Sequence, residues 1–134
     1  MIVDSSALIA ILREEADAAR FAEAIANSAI CRMSAANYLE AAIVIDGSGD
    51  PVASRRFDNL VLMAGIKIEP VTEEQVKIAR VAFSDFGKGS GHPARLNFGD
   101  CFAYALAKVS SEKLLFKGND FRYTDLAQYF PISH

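Results

Sequence analysis

The chain has 134 residues, of which 51% are hydrophobic and 23% are charged, and its formal net charge is −3. This composition excludes a disordered chain and predicts a single globular domain over residues 1–134 with a substantial hydrophobic core. No apolar run reaches the length of a membrane span, and the first residues do not resemble a signal peptide. We therefore expect a cytoplasmic protein with no membrane partner.

The charge bears on whether the protein binds nucleic acid, and the cysteines bear on whether it binds zinc. A net negative charge is unusual for a nucleic-acid-binding domain, but setting aside four acids that could form one site leaves the charge close to balanced. The charge therefore neither indicates nor excludes RNA. Cys31 and Cys101 lack the spacing of metal ligands, so we expect both to be buried and reduced, and we do not expect a zinc site.

The first half of the chain predicts strands that lead into helices. Residues 2–4 form an unbroken apolar strand that ends at Asp4, and Ser5 or Ser6 is the predicted cap of the helix that follows. A second amphipathic helix is expected over residues 17–26. A second strand is expected over residues 30–33, and Ser34 is the predicted cap of a helix that runs to residue 45.

The second half continues the alternation of strands and helices. Residues 47–51 are predicted to form a loop. Helices are predicted after it, up to residue 63, and from Thr72 to about Gly87, with a third strand over residues 66–70 between them. Residues 87–95 form a glycine-rich basic surface loop. A further helix begins at Asn97, and strands are expected over residues 114–116 and 130–132. This order predicts an α/β fold with a mainly parallel sheet of four to five strands.

The helix that begins at Asn97 is the most informative segment. Gly99, Ala103 and Ala107 recur every four residues and give it a nearly bare face that can lie close to a sheet, and Phe98 is expected to add apolar bulk. Asp100 lies in its first turn. The alternative role for Asp100 is that of a capping-box partner of Asn97.

Three more acids lie at comparable places. Asp4 and Asp120 each follow a predicted strand, and Glu40 has Ala36, Ile43 and Val44 at helical spacing, which predicts that it lies on the core-facing stripe. The alternatives are helix capping for Asp4, a buried ion pair with an arginine for Glu40 and a turn residue for Asp120.

If the four acids converge at the carboxyl edge of the sheet, their repulsion requires protons or cations. A site of oxygen ligands without histidine or cysteine is typical of Mg²⁺, with Mn²⁺ as a possible substitute. Ser6 and Asn97 are candidates to orient the acids from a second layer. Such a site suits phosphodiester hydrolysis, because it activates water without a side-chain nucleophile.

An ordered set of motifs resembles the PIN-domain ribonucleases, and more narrowly the VapC toxins of bacterial type II toxin–antitoxin pairs. The motifs are IVDSSAL over residues 2–8, Glu40 in its helix, LNFGD over residues 96–100 and KGNDF over residues 117–121. The resemblance covers the whole chain and implies a PIN-like three-layer α/β/α fold. Asp4, Glu40 and Asp100 match the metal-site acids of the family, and Ser6 matches its supporting hydroxyl.

The resemblance also implies an activity and partners. These are Mg²⁺-dependent endoribonuclease activity on structured RNA such as tRNA or ribosomal RNA, a VapB-type antitoxin that covers the acidic pocket, and a homodimer.

The last motif departs from the family pattern, because Phe116 and Gly118 stand where many relatives have threonine and an acid. Asp120, two positions later, is the candidate replacement.

The candidate RNA-phosphate contacts are four basic residues, Lys88, Arg95, Lys117 and Arg122.

Three other function classes stay open. A dehalogenase-type phosphatase needs a second aspartate where Ser6 stands, and a receiver-type signalling domain needs an aspartate after the third strand, where Glu69 and Pro70 stand. An inactive PIN-like binding module is the third alternative.

Overall fold

The computed structural model describes residues 1–118 and 120–130. Strands and short helices alternate along the chain. The elements are β1 (Ile2–Val3), α1 (Ser5–Leu12), α2 (Ala18–Asn27), β2 (Arg32–Ser34), α3 (Ala35–Asp46), α4 (Pro51–Met63), β3 (Lys67–Glu69), α5 (Glu73–Phe86), α6 (Phe98–Ser110) and β4 (Leu114–Leu115).

The four strands form one parallel sheet in the order β3-β2-β1-β4. Ile2 is in register with Arg32 on one side and with Leu114 on the other. Because all four strands run in the same direction, their carboxyl ends meet at one edge of the sheet, where ligands of open α/β sheets bind. The predicted α/β fold with a mainly parallel sheet is confirmed.

Helices cover both faces of this sheet, because side chains alternate along each strand. Ile2 and Leu114 belong to a core built with α5 and α6, whereas Val3 and Leu115 belong to a second core built with α1 to α4. All four of these strand residues are fully buried. The result is the predicted three-layer α/β/α arrangement.

Several predicted helix ends are confirmed, and one is wrong. Ser34 and Asn97 cap α3 and α6 through their side chains, as expected, and Thr72, the predicted first residue of the next helix, caps α5 in the same way. The cap of α1 is Asp4 rather than Ser5 or Ser6, because the Asp4 carboxylate accepts a hydrogen bond from the backbone N–H of Ser6. Asp4 is therefore the single residue between the end of β1 and the start of α1.

Each of the predicted strands needs a correction, and β1 and β3 are simply shorter than expected, at Ile2–Val3 and Lys67–Glu69. β2 begins at Arg32 rather than at Ile30, which is 53% exposed, because pairing with β3 starts only at Arg32. β4 ends at Leu115, so Phe116 is not part of it. In the predicted last strand, Phe130 lies in a bend, and residues 131–132 lie outside the described residues; instead Gln128 forms a single parallel bridge to Leu114.

Two further expectations can be compared with the structure. Cys31 and Cys101 are both buried and free, as predicted. Across residues 1–118 and 120–130, none of the helices combines the length and the apolar character needed to cross a membrane.

Candidate active site

Asp4 lies where β1 ends and α1 begins, and it is only 3% exposed. Its Oδ2 accepts hydrogen bonds from the backbone N–H of Ser6 at 3.1 Å and from the Ser6 hydroxyl at 2.5 Å. Its Oδ1 is also buried, but it has no hydrogen-bond partner within the described residues. Asp4 is thus a helix cap through one oxygen and leaves the other oxygen available.

Ser6 connects the ends of two neighbouring strands. While its hydroxyl donates to Asp4, the same oxygen accepts a hydrogen bond from the backbone N–H of Lys117 at 2.9 Å. Lys117 follows β4 by two residues, so this bond fixes the segment after β4 against the start of α1. The predicted supporting position of Ser6 therefore has a structural basis, although its role in catalysis stays a prediction.

Asp100 lies in the first turn of α6 and is 8% exposed. It forms the capping box that the sequence left open: the backbone N–H of Asn97 donates to Asp100 Oδ2, and the backbone N–H of Asp100 donates to Asn97 Oδ1, both at 2.9 Å. No donor from the described residues reaches Asp100 Oδ1. As in Asp4, capping occupies one carboxylate oxygen, and the other oxygen has no hydrogen-bond partner among the described residues.

Glu40 does not lie on the core-facing stripe of α3, so that prediction is wrong. The buried stripe consists of Asn37, Ala41 and Ile45, whereas Ile43 is 61% exposed and Glu40 is half-buried at the edge. The alternative of a buried ion pair also fails, since no arginine or lysine among the described residues pairs with Glu40. Its Oε1 instead accepts from the Ser5 hydroxyl at 2.5 Å.

Two residues that were not predicted to belong to the site, Gly99 and Asn37, contact the Glu40 carboxylate. A Cβ at Gly99 would collide with Glu40 Oε2 and lie 2.9 Å from its Cδ, so only glycine leaves the carboxylate its present place. The Asn37 amide donates to the Gly99 carbonyl at 2.9 Å and lies 3.4 Å from Glu40 Oε1. Asn37 stands three residues before Glu40, a helical spacing that could have indicated contact.

Burial raises the pKa of both aspartates. It brings the pKa of Asp4 to about 6, although the Ser6 hydrogen bonds oppose the rise. It brings the pKa of Asp100 to about 7, where the charges of Asp4, Asp120 and Glu40 raise the value further. These interactions indicate that the four predicted acids share one electrostatic environment at the carboxyl edge of the sheet.

Asp120 differs from the other three acids. It lies in an exposed turn after β4, which matches the alternative role of a turn residue. Its charge nevertheless raises the pKa of Asp100, so it lies close enough to influence the site. Whether it acts as a ligand stays a prediction.

The donor set suits a hard divalent cation but is not a closed cage. All candidate ligands are carboxylate oxygens, and the buried Asp4 Oδ1 lacks the partner that a buried polar atom normally has. Within the described part of the chain, no three acidic, histidine or cysteine side chains are close enough to form a complete metal-binding group. The residues fit an open site, in which water and substrate supply the remaining ligands.

The four basic candidates are placed differently. Lys88 and Arg95 are exposed on the loop before α6. The Lys117 ammonium pairs with Glu15 at 2.9 Å and with Asp17 at 3.2 Å. Arg122 is half-buried and is already engaged in an interaction within the protein. Their contact with RNA stays a prediction.

Apolar side chains border the site. An open groove of about 370 Å³ between α3 and α6 is lined by residues that include Leu39, Glu40, Ile43 and Phe102. Phe98 also lines it and is 78% exposed, so the apolar bulk that it adds to α6 lies at the surface. An exposed apolar surface next to buried acids is typical of a place where a partner binds.

Comparison with known proteins places this architecture in a family. The family model of the PIN domain matches residues 1–126. Ribonuclease VapC28 of Mycobacterium tuberculosis is 60% identical over 124 residues, which cover 92% of this chain and 93% of that protein. Ribonuclease VapC42 of the same species is 47% identical over 126 residues, covering 94% and 96%.

Solved structures agree on the fold. The crystal structure of the M. tuberculosis toxin VapC20, described as cleaving the sarcin-ricin loop, superimposes with a TM-score of 0.74 at 17% identity and covers 97% of this chain and 98% of that one. A toxin–antitoxin complex from Klebsiella pneumoniae gives 0.70 at 16% identity and covers 98% of both chains. The chain therefore belongs to the PIN-domain family, within its VapC group.

Proposed function

We propose that this chain is a metal-dependent endoribonuclease of the VapC toxin type. The observation that carries the proposal is the pair of buried aspartates, Asp4 and Asp100, whose raised pKa reflects carboxylates removed from water without a basic partner. Burial of this kind costs stability, and it is typical of a site that binds a cation. Relatives at 47% and 60% identity are named ribonucleases, which supports the activity.

Mg²⁺ is the proposed cofactor, with Mn²⁺ as a substitute, held by Asp4, Asp100, Glu40 and Asp120. Each of the first three acids leaves one oxygen without a hydrogen bond from the described residues: Asp4 Oδ1, Asp100 Oδ1 and Glu40 Oε2. A divalent ion held there would lower the pKa of the attacking water and stabilise the leaving oxygen.

The residues around the acids have a positioning role in this proposal. Ser6 holds Asp4 in place through Oδ2, and Asn97 holds Asp100 through its backbone N–H. Because these donors fix the carboxylates before a substrate arrives, little reorganisation is needed when the phosphodiester binds. A substitution that removes the Ser6 hydroxyl should therefore weaken the activity without removing an acid.

The proposed substrate is structured RNA, such as tRNA or ribosomal RNA. A solved structure with the same fold is a toxin described as cleaving the sarcin-ricin loop, which supports this substrate class. Lys88 and Arg95 are exposed on the loop that leads into the Asp100 helix, a position suited to phosphate contacts. Lys117 and Arg122 remain candidates of the same kind. We expect the protein to act in the cytoplasm as a single domain over residues 1–134.

The proposed protein partners are a VapB-type antitoxin and a second copy of the chain. One structural neighbour is a toxin–antitoxin complex. The exposed apolar residues beside Glu40, namely Leu39, Ile43 and Phe98, give a protein partner a surface to cover. A partner on this surface would also restrict access to the acids.

Cleavage of total cellular RNA by antitoxin-free protein tests the proposal. We expect discrete fragments that require Mg²⁺ or Mn²⁺, disappear with EDTA and are absent with Asp4→Asn or Asp100→Asn. Cleavage that persists in EDTA or in both variants would contradict the proposed site. No cleavage of tRNA or ribosomal RNA by folded, metal-loaded protein would instead favour an inactive PIN-like binding module.

A further inference from the structure

Asn37 is a buried polar residue that the fold alone does not explain. It is the third residue of α3 and is 1% exposed. Its Nδ2 makes the hydrogen bonds described above, but its Oδ1 is buried without a partner. An unpaired buried acceptor costs free energy, and an apolar side chain of similar size would avoid that cost. The amide is therefore expected to serve the site rather than the core.

The contacts of Asn37 join the two acids that come from different helices. Glu40 lies one helical turn after Asn37 in α3, and Gly99 immediately precedes Asp100 in α6. The amide reaches both, at 3.4 Å from Glu40 Oε1 and 2.9 Å from the Gly99 carbonyl. It thereby links the Glu40 carboxylate to the backbone of the turn that carries Asp100.

The direction of these bonds decides which Glu40 oxygen is free. Both donors to Glu40, the Ser5 hydroxyl and the Asn37 amide, reach Oε1. Oε2 lies against Gly99 and accepts from no donor in the described part of the chain. Asn37 and Ser5 thus hold one oxygen and present the other beside the first turn of α6.

The geometry points to Asn37 as a positioning residue: its amide holds the Glu40 carboxylate against the first turn of α6, next to Asp100. This inference rests on the proposed function and adds a residue outside the four acids. In metal sites, residues that orient a ligand typically change metal affinity or activity by 10- to 100-fold when they are replaced. If Asn37 is a positioning residue, its replacement should change metal affinity and activity only while residue 40 keeps its carboxylate.

A double-mutant cycle tests that dependence. The proteins are the wild type, Asn37→Leu, Glu40→Gln and the double variant, and each is assayed for Mn²⁺ affinity and for RNA cleavage. We expect Asn37→Leu to lose roughly 10- to 100-fold in both measurements in the wild-type background, and less than about 3-fold when Glu40 is already Gln. If Asn37→Leu does not fold, Asn37→Ala replaces it, because it removes the amide without adding bulk.

Gln75 provides a matched control. It is the third residue of α5, it is buried, and its amide donates to the Pro70 carbonyl at 3.3 Å without touching the acids. Gln75→Leu should leave Mn²⁺ affinity and cleavage within about 3-fold of the wild type. Equal losses from Asn37→Leu in both Glu40 backgrounds, or a similar loss from Gln75→Leu, would overturn the inference. A wild-type protein that neither binds Mn²⁺ nor cleaves RNA would overturn the proposed function, and this inference with it.

Discussion

The carboxylate of Glu40 occupies the space that any side chain at residue 99 would need. An ideal Cβ built on Gly99 would lie 2.9 Å from Glu40 Cδ and still closer to Oε2. The two residues are 59 positions apart, and they meet because α3 and α6 pack against each other at the carboxyl edge of the sheet. The absence of a side chain at Gly99 is therefore a condition for the position of Glu40.

The substitution Gly99→Ala should separate activity from stability. Alanine favours a helix, and the atoms it would displace are the far end of a flexible side chain, so we expect the free energy of unfolding to change by less than about 1 kcal/mol. The displaced carboxylate should reduce RNA cleavage by about 100-fold. Cleavage kinetics and urea unfolding measure the two effects.

Glu40→Ala supplies the control for this prediction. In that background the carboxylate is gone, so Gly99→Ala should have little further effect on the residual cleavage rate. A wild-type cleavage rate in Gly99→Ala would show that the contact does not matter. A comparable loss in the Glu40→Ala background would show that α6, rather than Glu40, is disturbed.

Asp4→Asn should stabilise the metal-free protein at high pH. The unfolded carboxyl has a pKa near 3.8 and the folded one about 6, so the folded state holds a proton more tightly. The contribution of the Asp4 proton to the free energy of unfolding is therefore fully present below about pH 4. It is lost as the pH rises to about 6, and it stays lost above that pH. We expect Asp4→Asn to be about 1–3 kcal/mol more stable than the wild type at pH 8, and nearly equal at pH 4.

Urea unfolding in EDTA at both pH values measures this difference. Asp50 is the matched control, because it caps α4 through the N–H of Val52 in the same way but is exposed. Asp50→Asn should leave the difference between pH 4 and pH 8 almost unchanged. If Asp4→Asn proves less stable than the wild type at pH 8, then the charge of Asp4 is compensated by the fold and the argument from burial is wrong.

Ser6→Ala should weaken both the fold and the site. It removes the hydroxyl bond to Asp4 Oδ2 and leaves the N–H of Lys117 without its acceptor, so we expect a loss of about 1–2 kcal/mol of stability. Because the Ser6 hydroxyl bond lowers the pKa of Asp4, its loss should raise that pKa further and move metal binding to higher pH, although the backbone N–H bond of residue 6 stays. Ser48→Ala in an exposed loop is the control. An unchanged pH dependence of Mn²⁺ binding would contradict the proposed role of Ser6.

Mn²⁺ affinity of the wild type should depend on pH. With pKa values of about 6 for Asp4 and about 7 for Asp100, protons compete with the cation, and affinity rises as the pH passes through this range. We expect binding to be at least about 10-fold weaker at pH 5.5 than at pH 7.5. Calorimetry at the two pH values tests this. Asp100→Asn should reduce the dependence, whereas an affinity that does not vary with pH would contradict the raised pKa values of the two aspartates.

Replacing Lys88 and Arg95 together with alanine should weaken RNA binding and make it less sensitive to salt. The slope of log affinity against log salt concentration should fall by about one unit for each phosphate that the variant no longer neutralises. Both side chains are exposed on the loop before α6. Lys113→Ala is the control, because Lys113 is also exposed but precedes β4, at the opposite edge of the sheet. An unchanged slope in the double variant would remove the loop from the RNA-binding surface.

The sequence predicted more of the fold than of the site. Apolar strands followed by amphipathic helices were sufficient for the α/β class, and the Asn97–Asp100 capping box could be identified from four residues. The position of Glu40 was predicted wrongly, because Ala36, Ile43 and Val44 suggested a core-facing stripe. In the structure that apolar side of α3 faces an open groove beside Phe98 instead.

The sequence by itself determined which residues are candidates for the chemistry and, except for Glu40, where in their elements they lie, because capping and hydrophobic periodicity act within a few residues. It placed Asp4 at the end of a strand and Asp100 at the start of a helix. Only the tertiary structure decided which Glu40 oxygen is held and how the segments that carry the acids lie together. The deciding bonds join residues 35, 62 and 111 positions apart: Ser5 to Glu40, Asn37 to Gly99 and Lys117 to Ser6. Such contacts depend on how helices pack at the edge of a sheet, and no local pattern records that geometry.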